Sequence, residues 1–267
     1  MKIHVLHTGS VTIDQALAHR EDSLHPMPYT GWFRSKKKRI EVPVSAYLIQ
    51  HPKGNILIDT GWHAEIRTKQ KKHLGRFSYS MFQGKLPKGE AVHEQLLSLH
   101  IQPSDLDLVI LTHLHADHVS GLEHVKEARK IWTSDVEWKE AHTKLGYIRS
   151  LWKGIPIEPF TFTDIPFGPT NRGVDVWGDE SLYIVHTPGH TRGMVSILAK
   201  VSNGWLLLAS DVGYSSRSFK EQLLPGLTSN KKEALQSLQW VDDFSKRSDC
   251  IGVLANHDPR IDQKLFV

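Results

Sequence analysis

The sequence lacks the features that mark secreted, disulfide-stabilised or membrane-embedded proteins. Its 267 residues include one cysteine, Cys250, so no internal disulfide can form. No apolar run approaches the length of a membrane span. The amino-terminal residues "MKIHVLHTGS" contain no apolar stretch of the kind found in signal peptides. These absences predict a cytoplasmic protein that does not insert into a membrane.

Repeats, low-complexity tracts and linkers are missing as well. We therefore expect one domain over residues 1–267, a length that can bury a sizeable core. Strand-like and helix-like segments alternate along the chain, which predicts an α/β fold. The first strand is expected over Lys2–His7, and a basic, proline-containing loop is expected over residues 19–43.

Positive charge is in slight excess, with a formal net charge of +4, and it is local. It is concentrated in residues 34–39 and 67–76, which we expect to be loops with aromatic residues beside them. Basic residues interleaved with aromatics can bind single-stranded nucleic acid, but solvated loops have the same composition more often. Nucleic acid is therefore the less favoured partner.

Four apolar segments each lead into a residue that can bind a metal ion. They are "VILTH" ending at His113, "IVHTPGH" ending at His190, "WLLLASD" ending at Asp211 and "IGVLANH" ending at His257. Ligand sites of α/β sheets lie beyond the carboxyl ends of strands, so we expect these four ends to meet in one cleft.

The first of these segments opens the stretch "LTHLHADHVSGLEH". His113 and His115 are two residues apart at a strand end, so both rings can face one metal ion. The turn that follows would direct Asp117 and His118 toward a second ion nearby. A histidine-rich surface loop is the alternative, but the ordered ligands further along the chain argue against it.

With these residues in this order, the sequence resembles the metallo-β-lactamase superfamily over nearly the whole chain, from "ILIDTG" to "NHD". The resemblance implies a four-layer αβ/βα sandwich with two divalent metal ions. The ligands that it implies are His113, His115 and His190 for one ion, Asp117, His118 and His257 for the other, and Asp211 between the two. Nitrogen and oxygen ligands without a thiolate suit zinc first, and also iron, manganese or cobalt.

Two further segments, "DVGY" and "VPVSAYLI…GNILIDTG", resemble the N-acyl homoserine lactonases of this superfamily. This branch implies a hydrolase that opens N-acyl homoserine lactones or related lactones through a hydroxide bridging the two ions. By the same resemblance, Tyr214 steadies the substrate carbonyl and Asp117 passes a proton to the leaving oxygen. A buried tyrosine with a purely structural role is the alternative for Tyr214.

Other functions remain open at this stage. A phosphodiesterase or ribonuclease of the same superfamily would use the same metal pair, and the basic segments would hold a nucleic acid backbone. A non-catalytic metal-binding scaffold is a more distant alternative. Whether two copies form a homodimer is also left open.

Several residues lie outside the ligand motifs, and the sequence suggests supporting roles for some of them. Asp59 is either a hydrogen-bond partner of the ligand loop or a simple turn acceptor. His186 is expected to be a hydrogen-bonded histidine, either in the core or supporting the ligands, and not a ligand itself; His63, His93 and His124 have no assigned role. Large apolar side chains in two polar regions are expected to line the mouth of the cleft and receive an acyl chain. They are Trp32, Phe33, Phe77, Tyr79, Met81 and Phe82.

Overall fold

The computed structural model describes residues 1–267 and contains two β-sheets with helices on their outer faces. The strands are β1 (Lys2–Asp14), β2 (Arg39–His51), β3 (Gly54–Ile58), β4 (Gln83–Lys85), β5 (Leu106–Ile110), β6 (Ile131–Ser134), β7 (Glu158–Phe160), β8 (Thr163–Asp164), β9 (Arg172–Asp175), β10 (Leu182–His186), β11 (Val195–Val201), β12 (Gly204–Ser210), β13 (Cys250–Ala255) and β14 (Leu265–Phe266). The helices are α1 (Gln15–Ala18), α2 (Ile66–Met81), α3 (Val92–Ser98), α4 (Ala116–Val119), α5 (Asp135–Thr143), α6 (Ser216–Lys220) and α7 (Lys231–Ser245). None of these helices is both long and apolar enough to cross a membrane.

The two sheets differ in strand order and in how many of their strands run parallel. The first has the strand order β14-β1-β2-β3-β5-β6-β7, with β4 paired to β1. Strands β3, β5, β6 and β7 run parallel to one another in it. The second has the order β13-β12-β11-β10-β9-β8, and its only parallel pair is β12 with β13.

Alternation along the strands explains why the apolar runs are buried on both faces. In β3, Ile56 and Ile58 lie in the core between the two sheets, whereas Leu57 lies in the core under the helices of the first sheet. In β12, Leu208 faces the same inter-sheet core and Leu207 packs toward α7. Successive side chains of a strand point to opposite faces, so each strand contributes to two cores. The expected four-layer αβ/βα sandwich is confirmed.

The first strand is longer than expected. It continues past His7 to Asp14, and its pairing with β2 shifts register between His7 and Ser10. Gly9 has a φ of 84° in this bulge, and a Cβ atom there would lie 2.1 Å from the carbonyl oxygen of Lys85. A glycine at the bulge thus lets one strand bend without ending, so the strand extends beyond the expected end at His7.

The expected loops are also wrong in part. Strand β2 starts at Arg39, inside the region expected to be a loop up to residue 43. Residues 67–76 belong to helix α2, whose buried anchors are Ile66 and Leu74. The helix is interrupted at Gly75, where φ is 77°. Two buried apolar residues eight positions apart are too few for the sequence pattern to reveal a helix.

Arginines of both basic segments are tied to carboxylates of the fold. Arg34 donates to Asp14 at 2.9 Å and to Glu21 at 2.7 Å. Arg67 binds both carboxylate oxygens of Glu94, with Nη1 to Oε1 at 2.9 Å. These arginines are therefore engaged in structural ion pairs, which favours the interpretation of the basic segments as parts of the scaffold.

Candidate metal centre

The residues expected at strand ends meet at one edge of the sandwich. His113 follows β5 of the first sheet, whereas His190, Asp211 and His257 follow β10, β12 and β13 of the second. Strand β11 is antiparallel to both β10 and β12, and β13 is parallel to β12. Strands β10, β12 and β13 therefore run in the same direction. Their carboxyl ends therefore deliver all three residues to the same edge, where they meet the loop after β5.

The structure brings all seven predicted ligands together in overlapping groups. The groups whose candidate ligand atoms lie within 4.8 Å of one another are His113 with His115 and His190, Asp117 with His118 and His257, and Asp211 with His113 and His118. Asp211 lies between the others, with Oδ1 3.3 Å from His118 Nε2 and Oδ2 3.3 Å from His257 Nε2. Its Oδ2 is also 3.7 Å from His190 Nε2. This is the grouping that the resemblance implies.

Three atoms of this cluster are buried without a hydrogen-bond partner. They are Nε2 of His113, Nε2 of His118 and Oδ1 of Asp211. Buried polar atoms are nearly always paired, because leaving one unpaired costs on the order of 1–3 kcal/mol. Two imidazole nitrogens and a carboxylate oxygen that face one another are what a divalent cation binds. The residues present therefore fit a metal centre.

The rings of the first group are held neutral. Burial lowers the pKa of His113 and of His115 well below the ordinary histidine value, and burial also lowers the pKa of His190. Neutral imidazole is the form that coordinates a metal ion. These three side chains therefore need to lose no proton at neutral pH in order to act as ligands.

In the second group, the pKa values of the histidines are raised instead of lowered. Burial opposes a positive charge on His118 and His257, but the nearby carboxylates, among which Asp211 contributes most, together outweigh it and raise the pKa of both rings. Burial likewise opposes the charge of Asp211, yet His257 and His118 hold the pKa of that carboxyl well below its ordinary value. The buried negative charge of Asp211 thus attracts either protons or a metal cation to this part of the centre.

Asp59 fixes the orientation of the motif loop. Its Oδ2 lies 2.8 Å from His118 Nδ1 and accepts a hydrogen bond from the Thr112 hydroxyl. Its Oδ1 accepts from the Thr112 backbone N–H at 2.8 Å. Asp59 adopts a positive φ of 57°, a conformation that the surrounding contacts must hold. It therefore orients a predicted ligand and is more than a turn acceptor.

Two other predicted ligands have backbone partners for their second ring nitrogen. Nδ1 of His190 lies 2.9 Å from the carbonyl oxygen of Leu227, and Nδ1 of His257 lies 2.7 Å from that of Pro43. A carbonyl can only accept, so each Nδ1 carries the proton and donates. The lone pair of each ring is then on Nε2, which faces Asp211.

Tyr214 borders the cluster. Its ring is buried and packs nearly parallel to His257, with ring centroids 4.7 Å apart. Burial and the nearby carboxylates of Asp211 and Asp117 raise the pKa of the Tyr214 phenol far above its ordinary value, so it keeps its proton. Asp117 is the most exposed of the carboxylates here, with 20% of its side chain accessible against 3% for Asp211. A neutral donor and an accessible carboxylate thus lie beside the candidate ligands.

Glu137, which no sequence pattern indicates, joins the two loops that carry the first ligand group. From α5, its Oε1 accepts from the Leu114 backbone N–H at 2.9 Å and from the Tyr147 hydroxyl at 3.1 Å. Its Oε2 accepts from the Thr191 hydroxyl at 2.5 Å. Burial raises the pKa of this carboxyl to about 7. Neither of the two glutamates of "DVEWKEAH" has a spacing from the ligands that would have revealed this role.

The other residues singled out in the sequence are His186 and the large apolar side chains. His186 lies outside the cluster, where its Nε2 is 2.9 Å from the carbonyl oxygen of Arg192 and its ring stacks on Phe162. The large apolar residues expected at the mouth have different surroundings. Trp32 packs edge-on against Phe77, Phe82 is half-buried and stacks on the buried Trp62, and Phe33 is fully exposed. Their role in receiving an acyl chain stays a prediction.

Comparison with known proteins agrees with this geometry. The family model for the metallo-beta-lactamase superfamily matches residues 39–239. N-acyl homoserine lactonase AttM from Rhizobium radiobacter is 30% identical over 225 residues, which cover 82% of this chain and 83% of the relative. N-acyl homoserine lactonase AiiB from Agrobacterium fabrum is 27% identical over 234 residues, covering 82% of this chain and 79% of the relative.

Solved structures share the fold at lower identity. An N-acyl homoserine lactone hydrolase with N-hexanoyl-L-homoserine bound at its catalytic metal centre matches with a TM-score of 0.78 and 20% identity, over 97% of this chain and 93% of that one. AidC, a dizinc quorum-quenching lactonase, matches with a TM-score of 0.66 and 14% identity, over 97% and 87%. The chain belongs to the metallo-beta-lactamase superfamily, and the curated relatives that it resembles are hydrolases of lactone rings.

Proposed function

We propose that the protein is a lactonase that uses two divalent metal ions to open N-acyl homoserine lactones or related lactones. The observation that carries the proposal is the set of unpaired buried atoms on His113, His118 and Asp211, which face one another at a strand-end edge. The similarity to N-acyl homoserine lactonases, at 30% identity over most of both chains, supports the substrate class. Because both sheets supply ligands, we treat residues 1–267 as one functional domain.

The ligand sets follow from the groups of nearby atoms. We assign His113, His115 and His190 to one ion, Asp117, His118 and His257 to the other, and Asp211 to both. Zinc suits these ligands first, and iron, manganese or cobalt are the alternatives. When bound, the ions supply an activated water at neutral pH and withdraw charge from the lactone carbonyl. The protein provides the geometry that holds them, through Asp59 on His118 and the backbone on His190.

Tyr214 is the proposed donor to the carbonyl oxygen. The phenol keeps its proton because burial and the carboxylates of Asp211 and Asp117 raise its pKa. A neutral O–H beside the centre can donate a hydrogen bond that strengthens as the carbonyl oxygen gains negative charge. The stacking of its ring on His257 limits the positions that the phenol can take. Tyr214 thus stabilises the transition state more than the bound substrate.

Asp117 is the proposed carrier of the proton. Water adds to the lactone carbonyl, the bond from that carbon to the ring oxygen breaks, and the product is a hydroxy acid. The water loses one proton and the leaving ring oxygen gains one. The Asp117 carboxylate lies 3.5 Å from His257 and is partly accessible, so it can take up the first proton and deliver it to the ring oxygen.

The test is a substrate panel on protein loaded with zinc, manganese or cobalt. We expect turnover of N-acyl homoserine lactones, little turnover of phosphodiesters, and loss of turnover in a His113→Ala variant that remains folded. Phosphodiester cleavage that exceeds lactone cleavage and weakens steeply with salt would replace this function by that of a nuclease. No turnover of any ester in the fully metallated protein would leave a metal-binding scaffold.

A further inference from the structure

A second group of histidines lies beside the start of α2, outside the metal centre. We call it the outer histidine cluster, and its members are His63, Glu65, His73, His93 and His124. The ring centroids of His63 and His73 are 4.8 Å apart, and those of His63 and His124 are 4.1 Å apart. The ring of His93 lies 4.0 Å from that of His124. The proposed reaction uses none of these side chains.

We propose that His63, Glu65 and His73 form a third metal site, which binds zinc or a similar transition-metal ion more weakly than the metal centre. One candidate ligand atom from each of the three side chains lies within 4.8 Å of the others. The separation of the His63 and His73 rings is close to the 4.7 Å between His113 and His115. Two imidazoles and one carboxylate form a ligand set that zinc accepts, with the remaining position left to water.

The hydrogen bonds of His73 suit it to this role. Its Nε2 lies 2.8 Å from the Ser120 hydroxyl, while its Nδ1 is 3.5 Å from Glu65 Oε2. If Nε2 carries the proton and donates to Ser120, the lone pair of the ring is on Nδ1, facing the carboxylate. Histidine ligands commonly have such a partner on their second nitrogen, which fixes the ring.

Charge and proton position set the strength of the site. Burial lowers the pKa of both His63 and His73, so both rings are neutral at neutral pH and no proton has to leave. His63 Nδ1 accepts a hydrogen bond from the Glu65 backbone N–H at 3.0 Å. Binding through Nε2 moves the ring proton to Nδ1 and breaks that bond. This loss, and the 41% exposure of the Glu65 side chain, make the site weaker than the buried centre.

The segment that carries the three ligands already touches the end of the motif loop. The His63 backbone N–H donates to the Ser120 hydroxyl at 3.1 Å, and the Ala64 N–H donates to His124 Nε2 at 3.0 Å. Ser120 lies two residues after His118, whereas His63 and Glu65 lie before α2. A bound ion would fasten the residues before α2 to His73 within that helix, and Ser120 of the motif loop already contacts both His63 and His73. We therefore expect it to raise the melting temperature and to be unnecessary for turnover.

The experiment is equilibrium dialysis of the full chain against increasing zinc, with metal per chain measured by elemental analysis. We expect wild type to bind one ion more than His73→Ala at saturation, and His142→Ala to match wild type. His142 is a suitable control because it is an exposed histidine on α5, away from both clusters. Equal saturation of wild type and His73→Ala would overturn the proposal.

A second variant tests the site with a substitution that should not disturb folding. Glu65→Gln keeps the size of an exposed side chain and loses only the charged ligand, so we expect the last zinc ion to bind at least tenfold more weakly. Unchanged affinity for that ion would overturn the proposal. In His113→Ala, the outer ion should remain while the metal centre loses zinc, so failure of the proposed lactonase centre and failure of the outer site give different stoichiometries.

Discussion

The metal centre and the outer histidine cluster are built from the same kinds of side chain but differ in what surrounds their ring nitrogens. In the centre, Nε2 of His113 and Nε2 of His118 are buried without a partner and face a buried carboxylate. In the outer cluster, His73 is paired with a serine hydroxyl, the carboxylate of the proposed ligand set is Glu65, which is 41% exposed, and the buried ring nitrogen without a partner, Nδ1 of His93, lies outside that ligand set. The number of histidines therefore says little about metal affinity. Buried, unpaired nitrogens beside buried negative charge say more.

The largest difference between the two regions should appear in the activity of variants that neutralise the carboxylate of each. Asp211→Asn removes the charge between the two ligand groups, so we expect kcat/KM for a lactone to fall roughly a thousandfold or more and bound metal to decrease. Glu65→Gln should leave kcat/KM within about twofold, because Glu65 lies outside the reacting atoms. Steady-state kinetics and metal content of both variants provide the measurement. Equal losses in the two variants would show that the outer cluster is part of the catalytic machinery.

The next effect concerns Tyr214, which has no counterpart in the outer cluster. If the phenol stabilises the developing negative charge, Tyr214→Phe should lower kcat roughly ten- to a thousandfold, or about 1.4 to 4 kcal/mol. KM should change less, and metal content should not change. A tyrosine that only packs on His257 would instead lower the melting temperature and leave kcat per folded molecule intact. Parallel kinetics, metal analysis and thermal unfolding separate the two roles.

The sequence predicts that the candidate ligands converge, because these residues occupy fixed places on regular elements. His113, His190, Asp211 and His257 each follow a buried strand, and strand direction alone carries them to one edge. The spacing of two between His113 and His115 places both rings in the same group. The α/β class is predictable from the sequence pattern, since strands buried on both faces appear as continuous apolar runs, whereas the four-layer arrangement is implied by the resemblance to the superfamily.

The outer cluster and Glu137 are not predictable in this way. His63 and His73 come together because α2 begins at Ile66 and packs against the residues after the motif, a tertiary contact without a sequence spacing. Helix α2 itself was missed because few of its residues are buried. Glu137 bonds to Leu114 and Thr191, which are 23 and 54 residues away. A buried carboxylate with distant partners has no local pattern.

A smaller effect should come from the groups that orient one ring in each region. Asp59 accepts from His118 Nδ1 in the centre, as Ser120 partners His73 Nε2 in the outer cluster. Asp59→Asn turns an amide donor toward His118 and favours the ring form with its proton on Nε2, so metal affinity there should fall about ten- to a hundredfold. Ser120→Ala should lower the affinity for zinc only at the proposed outer site of His63, Glu65 and His73. Competition with a chelator measures both affinities, and a loss at the same ion in both variants would contradict the separation of the two sites.

The smallest effect is a difference in how pH acts on the two regions. Burial raises the pKa of Glu137 to about 7 from an ordinary 4.5, so its contribution to folding is complete below pH 4.5 and is lost as pH rises through 7. Burial and the rings of His63 and His93 lower the pKa of His124 to about 3 from 6.5, so its contribution is complete above pH 6.5 and is lost as pH falls toward 3. The two groups therefore act in opposite directions between pH 5 and 7.

Chelator-treated protein tests this opposition, because metal release then adds no pH dependence of its own. Between pH 5 and 7, Glu137→Gln should gain about 2 kcal/mol of unfolding free energy relative to wild type, since the amide imitates the protonated carboxyl at every pH. His124→Gln keeps an acceptor for the Ala64 N–H and should change in the opposite sense by less, because His124 is only partly buried. The measurement is urea unfolding at several pH values. If Glu137→Gln paralleled wild type throughout, Glu137 would be charged in the folded protein, held by its three hydrogen-bond donors in spite of its burial.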